Sequence, residues 1–427
     1  MTYLNVTIRT LFAVGALALS LTALIFAALC PVSFAPVDSV AQPIHAADRF
    51  AVTEWALPVA SPPFAAILFV PATWLPVATL KAVAVVGNVL LLALLVRLSW
   101  RFAGRHRTPT RALVPLPLCV PVVVVVAVAV AVGLWLEPVL RTVHFGEISL
   151  ALTCLILWDL TRPDHALGKG FALGIVAGVE LTPALFIAYL LLAGRPGAVR
   201  AGLTALASLI GTMLLGALVL PRASADFWTL RVFETGRAGD GWTIGNQSLQ
   251  GLFARALHTT EPGVGWALAC VVLTFAGLWL ARRAVVRARL ETWGVLVTAL
   301  TALLVSPVSW SHHWVWCVPL LVVLLAEGRW RTAVAVALVF AARTFRFVPH
   351  EGGGELELPW WQQLLASPYA LLALALLAYA AYRCRARTAL RVRRPGGTRR
   401  IPPLKPLATA APAAQLPASN SSASTMR

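Results

Sequence analysis

Apolar runs long enough to cross about 30 Å of hydrocarbon recur from one end of this chain to the other, beginning with Leu11 to Leu29. No other feature limits the fold so tightly. The bilayer core holds no water, so every backbone N–H and C=O there must pair within the chain, and only helices or closed barrels do that. The runs lack strand alternation and read as helices. Hydrophobic residues make up 59% of the sequence and charged ones 12%, against roughly 45–50% and about 25% in soluble domains. A soluble domain is excluded. The first run has only Arg9 ahead of it and ends at Cys30-Pro31-Val32 without a small-residue cleavage site, so it reads as a retained anchor.

The net charge of +18 would suggest nucleic acid in a soluble protein, but its placement says otherwise. Arginines gather between apolar runs at Arg97 to Arg111, at Arg282 to Arg289 and from Arg383 onward, the pattern of cytoplasmic loops. No nucleic-acid partner is expected. Letting each basic loop mark the inner side predicts an all-α integral membrane bundle of about twelve spans, near 10–30, 78–98, 114–136, 146–161, 169–181, 183–194, 201–220, 264–281, 292–306, 315–327, 331–346 and 368–383. The proline-rich run from Pro62 to Leu75 is too short to cross and suits an interfacial or re-entrant helix. Segments 31–77, 137–146, 221–263 and 347–367 then face outward, and most of the 17 acids fall in or beside them. Residues 1–385 form one membrane domain and 386–427 a basic, disordered cytoplasmic tail. The six cysteines show no CxxC and no histidine at metal spacing, so neither a disulfide nor a metal cluster is expected.

Three outer stretches carry more polar and aromatic residues than a connector requires. Asp38, followed by His45, Asp48 and Glu54, opens the loop after the first span. A carboxylate there is placed to act as a general base, or is an ordinary solvated acid. The segment Arg231 to Asp240, with Arg237, runs on to Gly245-Asn246-Gln247-Ser248-Leu249. Guanidinium groups match phosphate and amides match sugar hydroxyls, although turn glycines in a hydrophilic loop look similar. The third stretch is Ser306-Pro307-Val308-Ser309-Trp310-Ser311-His312-His313-Trp314. Tryptophans at a membrane boundary are often only a belt, but paired histidines suit a base or a phosphate ligand. Adjacent residues on a helix point about 100° apart, so at most one of His312 and His313 faces a cavity squarely.

Together the Gly245–Leu249 run, Ser306–Trp310 with His312-His313, and Leu181-Thr182-Pro183-Ala184 resemble the polyprenol-phosphate-mannose-dependent α-(1→2)-mannosyltransferases of actinobacterial envelopes. Pro62-Pro63-Phe64 and the position of Asp38 add to the likeness, which reaches from the first span to about residue 385. The resemblance implies a C-type membrane glycosyltransferase (GT-C) fold with an outer-face cavity and a catalytic first external loop. It implies transfer of mannose, by inverting displacement, from a polyprenyl-phosphate donor to an envelope glycolipid or lipoglycan on the outer side of the cytoplasmic membrane. Asp38, His312 and His313 take the catalytic positions, and Arg231, Arg237, Asn246, Gln247, Ser248 and Trp310 the donor phosphate and sugar positions. No cofactor and no metal site is implied, and any need for a divalent cation stays open. The chain departs from the pattern at Gly146-Glu147-Ile148-Ser149, where relatives usually read Gly-Gln-x-Asn, and at Glu180, where they carry lysine. Ala41 and Ser61 stand where aromatics are expected. These departures keep a non-catalytic scaffold in view, and the span number a lipid or sugar transporter, although ionisable residues deep in the spans are nearly lacking.

Overall fold

The structure, a computed structural model, describes residues 61–104, 122–234, 236, 239–349 and 354–392. Asp38, Arg237, the first apolar run and the tail from residue 393 lie outside the described residues. Everything described is helix, turn or loop, with one isolated bridge between Asn246 and Trp310. The helices are α1 (Pro63–Phe69), α2 (Val77–Gly104), α3 (Val122–Trp135), α4 (Glu137–Phe145), α5 (Ser149–Leu160), α6 (Phe171–Val179), α7 (Ala184–Leu192) and α8 (Pro196–Val219). They continue as α9 (Pro221–Thr229), α10 (Leu249–Ala256), α11 (Gly263–Val286), α12 (Glu291–Val305), α13 (Cys317–Ala326), α14 (Trp330–Ala342), α15 (Trp360–Ala366) and α16 (Pro368–Val392).

Each of the apolar segments expected as spans, from 78–98 onward, carries a helix. Their lengths differ sharply. Among the described residues only α2, α8 and α11 are long and apolar enough to cross a membrane, or up to five crossings if the bent pairs α3–α4 and α15–α16 each count as one. The bends are 84° and 80°. All three long helices expose apolar side chains, among them Leu90 on α2, Leu214 on α8 and Phe275 on α11. Such a face suits lipid rather than water. The core is packed between α2, α5, α12 and α13, where Leu95, Leu157, Trp293 and Leu324 are buried.

The segments expected to be two complete spans near 169–181 and 183–194 are instead two nine-residue helices, each about 13 Å long. They form a hairpin against α8. Gly170, Gly174 and Gly178 of α6 press on Ala201, Ser208 and Thr212 of α8 with no room for a Cβ, and the rising numbers make these helices parallel. At α7 the order reverses, Leu191 lying on Gly202 near the start of α8. The tip, Glu180 to Pro183, therefore stops beside Thr212, roughly 10 Å short of Val219. Glu180 is extended and Pro183 cannot donate to a continuing ladder, which explains the break. At the other end buried Asp159 accepts the backbone N–H groups of Gly170 and Leu173, neutralising the positive end of α6.

Candidate active site

Four shortened elements end at one level: the start of α5, the α6–α7 tip, the end of α12 and the 3-10 turn Ser311–Trp316 that leads into α13. Their ends enclose a half-open pocket. Ser149, Thr153, Glu180, Thr182 and His313 provide its polar lining, while Phe186 and Trp316, stacked at 5.3 Å, are part of its apolar wall. Thr182 Oγ1 lies 3.3 Å from Ser306 Oγ, which ties the hairpin tip to the end of α12.

His312 and His313 divide as their spacing demands, with ring planes at 86°. His313 lines the pocket, its Nδ1 at 3.9 Å from Glu180 Oε1. His312 is buried, its Nε2 at 3.5 Å from Glu147 Oε1 and its carbonyl accepting Thr142 Oγ1. Glu147 sits between α4 and α5, outside any helix. Burial, and after it the charge of Glu180, push its carboxyl up to about 7. The two positions that depart from the family pattern are thus electrostatic neighbours, and each faces one histidine.

Behind the histidines stands a residue that sequence reasoning left in an outer loop. Glu137 is buried on α4, with Oε1 accepting Ser311 Oγ and Oε2 accepting Tyr369 OH, both at 2.8 Å. Arg141 follows it at one helical turn, Nε 3.4 Å from Oε1. The signal was the spacing Glu137, Arg141, His144 behind Pro138, one face of a short helix.

The Gly245–Leu249 run forms a joint beside this cluster. Asn246 Nδ2 donates to the carbonyls of Gly241 and Pro307, and its Oδ1 accepts the N–H groups of Ser248 and Ser309. Gln247 Nε2 donates to Ile244 and Ala366, and its Oε1 accepts from Tyr369 N. Ser248 caps α10. All three are fully buried, so these groups serve the backbone, in contrast to the sugar contacts expected of them. Arg255, also buried and missed by sequence reasoning, donates to the carbonyls of Trp242, Thr243 and Asn246 and to Ser367 Oγ. Trp310 lies across Gly239 and Gly245, where a Cβ would sit 3.1 and 3.2 Å from its ring. Arg231 stands apart from this joint in the turn after α9, its guanidinium on Asp226 and Glu234 at 3.0 and 3.1 Å.

The structure therefore brings His312, His313 and Trp310 together with Glu137, Glu147 and Glu180, and holds them through Asn246, Gln247 and Ser248. Asp38 and Arg237 lie outside the described residues. Among those residues no group of three His, Cys, Asp or Glu could hold a metal ion, and the four described cysteines are free.

The family model described as Glycosyltransferase family 87 matches residues 61–307. A polyprenol-phosphate-mannose-dependent alpha-(1-2)-phosphatidylinositol mannoside mannosyltransferase of Mycobacterium tuberculosis is 36% identical over 332 residues, covering 76% of each chain. The protein of the same description from Mycolicibacterium smegmatis is 31% identical over 337 residues and 75% of each chain. A polyprenol-phosphate-mannose-dependent alpha-(1-2)-phosphatidylinositol pentamannoside mannosyltransferase of Mycolicibacterium smegmatis is 30% identical over 64% of this chain and 62% of that one. No solved structure matches.

Proposed function

The chain belongs to glycosyltransferase family 87, and on that premise we propose that it transfers mannose from a polyprenyl-phosphate donor to a phosphatidylinositol-mannoside glycolipid at the outer face of the cytoplasmic membrane. The observation that carries this reading is the pocket at the ends of the shortened helices, with His313, Glu180 and Thr182 on its polar lining and an apolar wall below. Polar groups set beside an apolar wall suit a sugar carried on a lipid. The full arrangement, a GT-C bundle with both termini inside in which the α6–α7 hairpin takes the place of two of the twelve expected crossings, belongs to the same proposal.

In the displacement the acceptor hydroxyl oxygen attacks the anomeric carbon, and the bond from that carbon to the phosphate oxygen breaks with its electron pair. The proton leaves to a base. We assign that role to Asp38, the first-loop carboxylate, and give His313 the task of orienting a hydroxyl or phosphate oxygen within the pocket. His312, buried against Glu147, holds the turn in place. Asn246, Gln247 and Ser248 act as positioning residues for the loop that carries Trp310 and the histidines. On this reading Arg237, rather than the carboxylate-bound Arg231, is the arginine of its loop with a role toward the donor, at its sugar.

Purified protein supplied with polyprenyl-phosphate mannose and a panel of phosphatidylinositol mannosides tests the reaction. Transfer to one of them is expected. Asp38→Asn should lower the rate by about 10²–10⁴-fold without weakening donor binding. Near-normal turnover in that variant, with turnover lost and binding kept in His313→Ala, would move the base to His313. A chain that binds the donor but transfers to no acceptor would point to a scaffold.

A further inference from the structure

We propose that Arg141, Arg343 and Arg346 form the site that holds the phosphate of the lipid-linked donor, an inference that rests on the mannosyltransferase reading above. The three come from two elements. Helix α4, bent by 84° from α3, lies along the histidine turn, with Phe145 edge-on to His312 at 6.1 Å. The Arg141 guanidinium stands over that same Phe145 ring at 4.6 Å. The other two arginines flank the turn after α14, where buried Phe345 packs edge-on to Tyr369 at 5.8 Å and fixes the turn against the core. Arg343 is close enough for its charge to act on Glu137 and Tyr369, and Arg346 for its charge to act on Arg141 and His144.

Two features make this more than a basic rim. Arg141 and Arg343 share one carboxylate, Glu137, whose oxygens already accept Ser311 and Tyr369, and Arg346 bears on Arg141 from the other side, so two positive charges in this group have no counter-charge within it. The second is backbone strain. Arg343 ends α14 in the left-handed region, φ 52° and ψ 38°, at a position where glycine is the ordinary choice. Strain held at a site by its surroundings is a reason to look for what the side chain does there. An arginine in that place adds a fork suited to two phosphate oxygens, and its Nε is buried without a hydrogen-bond partner among the described residues.

The chemistry needs such a site. The donor carries a phosphodiester with one negative charge, and the departing polyprenyl phosphate is a monoester that gains a second as the anomeric bond breaks. Guanidinium groups fixed beforehand around that oxygen stabilise the charge as it develops. The cluster is also adjacent to the pocket, since Arg141 acts on His312 and His312 abuts His313.

The test uses full-length protein in nanodiscs and two variants chosen to fold: Arg343→Gly, which relieves the left-handed residue, and Arg346→Gln, which alters an exposed side chain. Donor KM and the inhibition constant of polyprenyl phosphate should each rise at least 10-fold in both, with acceptor KM and melting temperature unchanged. Polyprenyl phosphate binding is also measured directly. Wild-type protein that binds it, through these arginines, but transfers no mannose would sink the mannosyltransferase reading and keep the site. Normal transfer with unchanged donor KM and inhibition constant in both variants, or the same loss appearing only in Arg237→Gln, would overturn the site. Nanodiscs of neutral or anionic lipid separate the sources of phosphate. A rise in acceptor KM alone would assign the arginines to the acceptor phosphodiester, and loss only of an anionic-lipid effect would assign them to bulk headgroups, and either result overturns the donor assignment.

Discussion

Glu147 is held between His312 and Glu180 with a carboxyl pushed up to about 7, so its neutral form is the one the fold prefers. A group whose pKa is higher folded than unfolded contributes stability that is complete below the unfolded value, here 4.5, and is lost as pH rises through the folded one. Wild-type protein should therefore lose on the order of 3 kcal/mol between pH 4.5 and pH 7 and above through this residue. Glu147→Gln keeps the shape and removes the titration. Its melting temperature should vary less across that window and exceed wild type at pH 8, and parallel pH profiles for the two proteins would refute the assignment. Glu180→Lys acts on the same group from the other side. It replaces the like charge with an opposite one, so the Glu147 carboxyl should titrate below 7, and a downward shift of the stability profile is the expected result. Some of this was legible in the sequence. The paired histidines stood out, and helical geometry already required that only one face a cavity. That Glu147 and Glu180, 33 positions apart, would meet depends on where the α6–α7 hairpin stops, and nothing local encodes that.

At the scale of elements, the Asn-Gln-Ser run looked special in the sequence for a reason the structure replaces. Its partners are backbone groups, some of them some 60 and 120 positions away, such as Pro307 and Ala366, and no linear pattern announces them. Asn246→Ala would strip four hydrogen bonds from a buried joint and leave the Ser248 and Ser309 N–H groups unpaired, a loss of roughly 3–5 kcal/mol. Ser248→Ala removes a helix cap and a bond to Pro307, and should cost about 1–2 kcal/mol. Thermal unfolding in detergent that ranks the two the other way would mean the joint is not built as described. The hairpin offers a sharper case, because the glycines at 170, 174 and 178 recur every four residues, a readable sign of close helix contact. What they could not disclose was that each arm is only nine residues long. Gly178→Ala should destabilise by about 1–3 kcal/mol, since the new methyl meets the Thr212 side chain. Thr212→Ala in the same chain should restore part of the loss, and a single variant as stable as wild type would contradict the packing.

For the molecule as a whole the decisive question is which face looks outward, and two sets of contacts separate the faces without reference to charge rules. On one side Arg282 donates to the Leu192 carbonyl and Arg195 pairs with Glu291, which brings together the ends of α7 and α11 and the starts of α8 and α12. On the other the Asn246 joint, Glu137, Tyr369 and the pocket gather at the opposite ends of the same helices. Following the chain, α8 leaves the first face and α11 returns to it, so the loop from 221 to 262 belongs with the pocket. The first face also carries Arg283, Arg287 and Arg289, and the basic stretch from Arg97 to Arg111 is expected on the same side of the membrane. Single cysteines placed in a cysteine-free background decide the orientation. Asp240→Cys, at an exposed position on the pocket face, should react with an impermeant maleimide in intact cells, and Arg105→Cys only after permeabilisation. The reverse pattern would put the pocket in the cytoplasm, where an outward-facing lipid-linked donor cannot reach it. Labelling at both positions in intact cells would mean that α2 or α8 does not cross, and the span assignment would fail before the catalytic one.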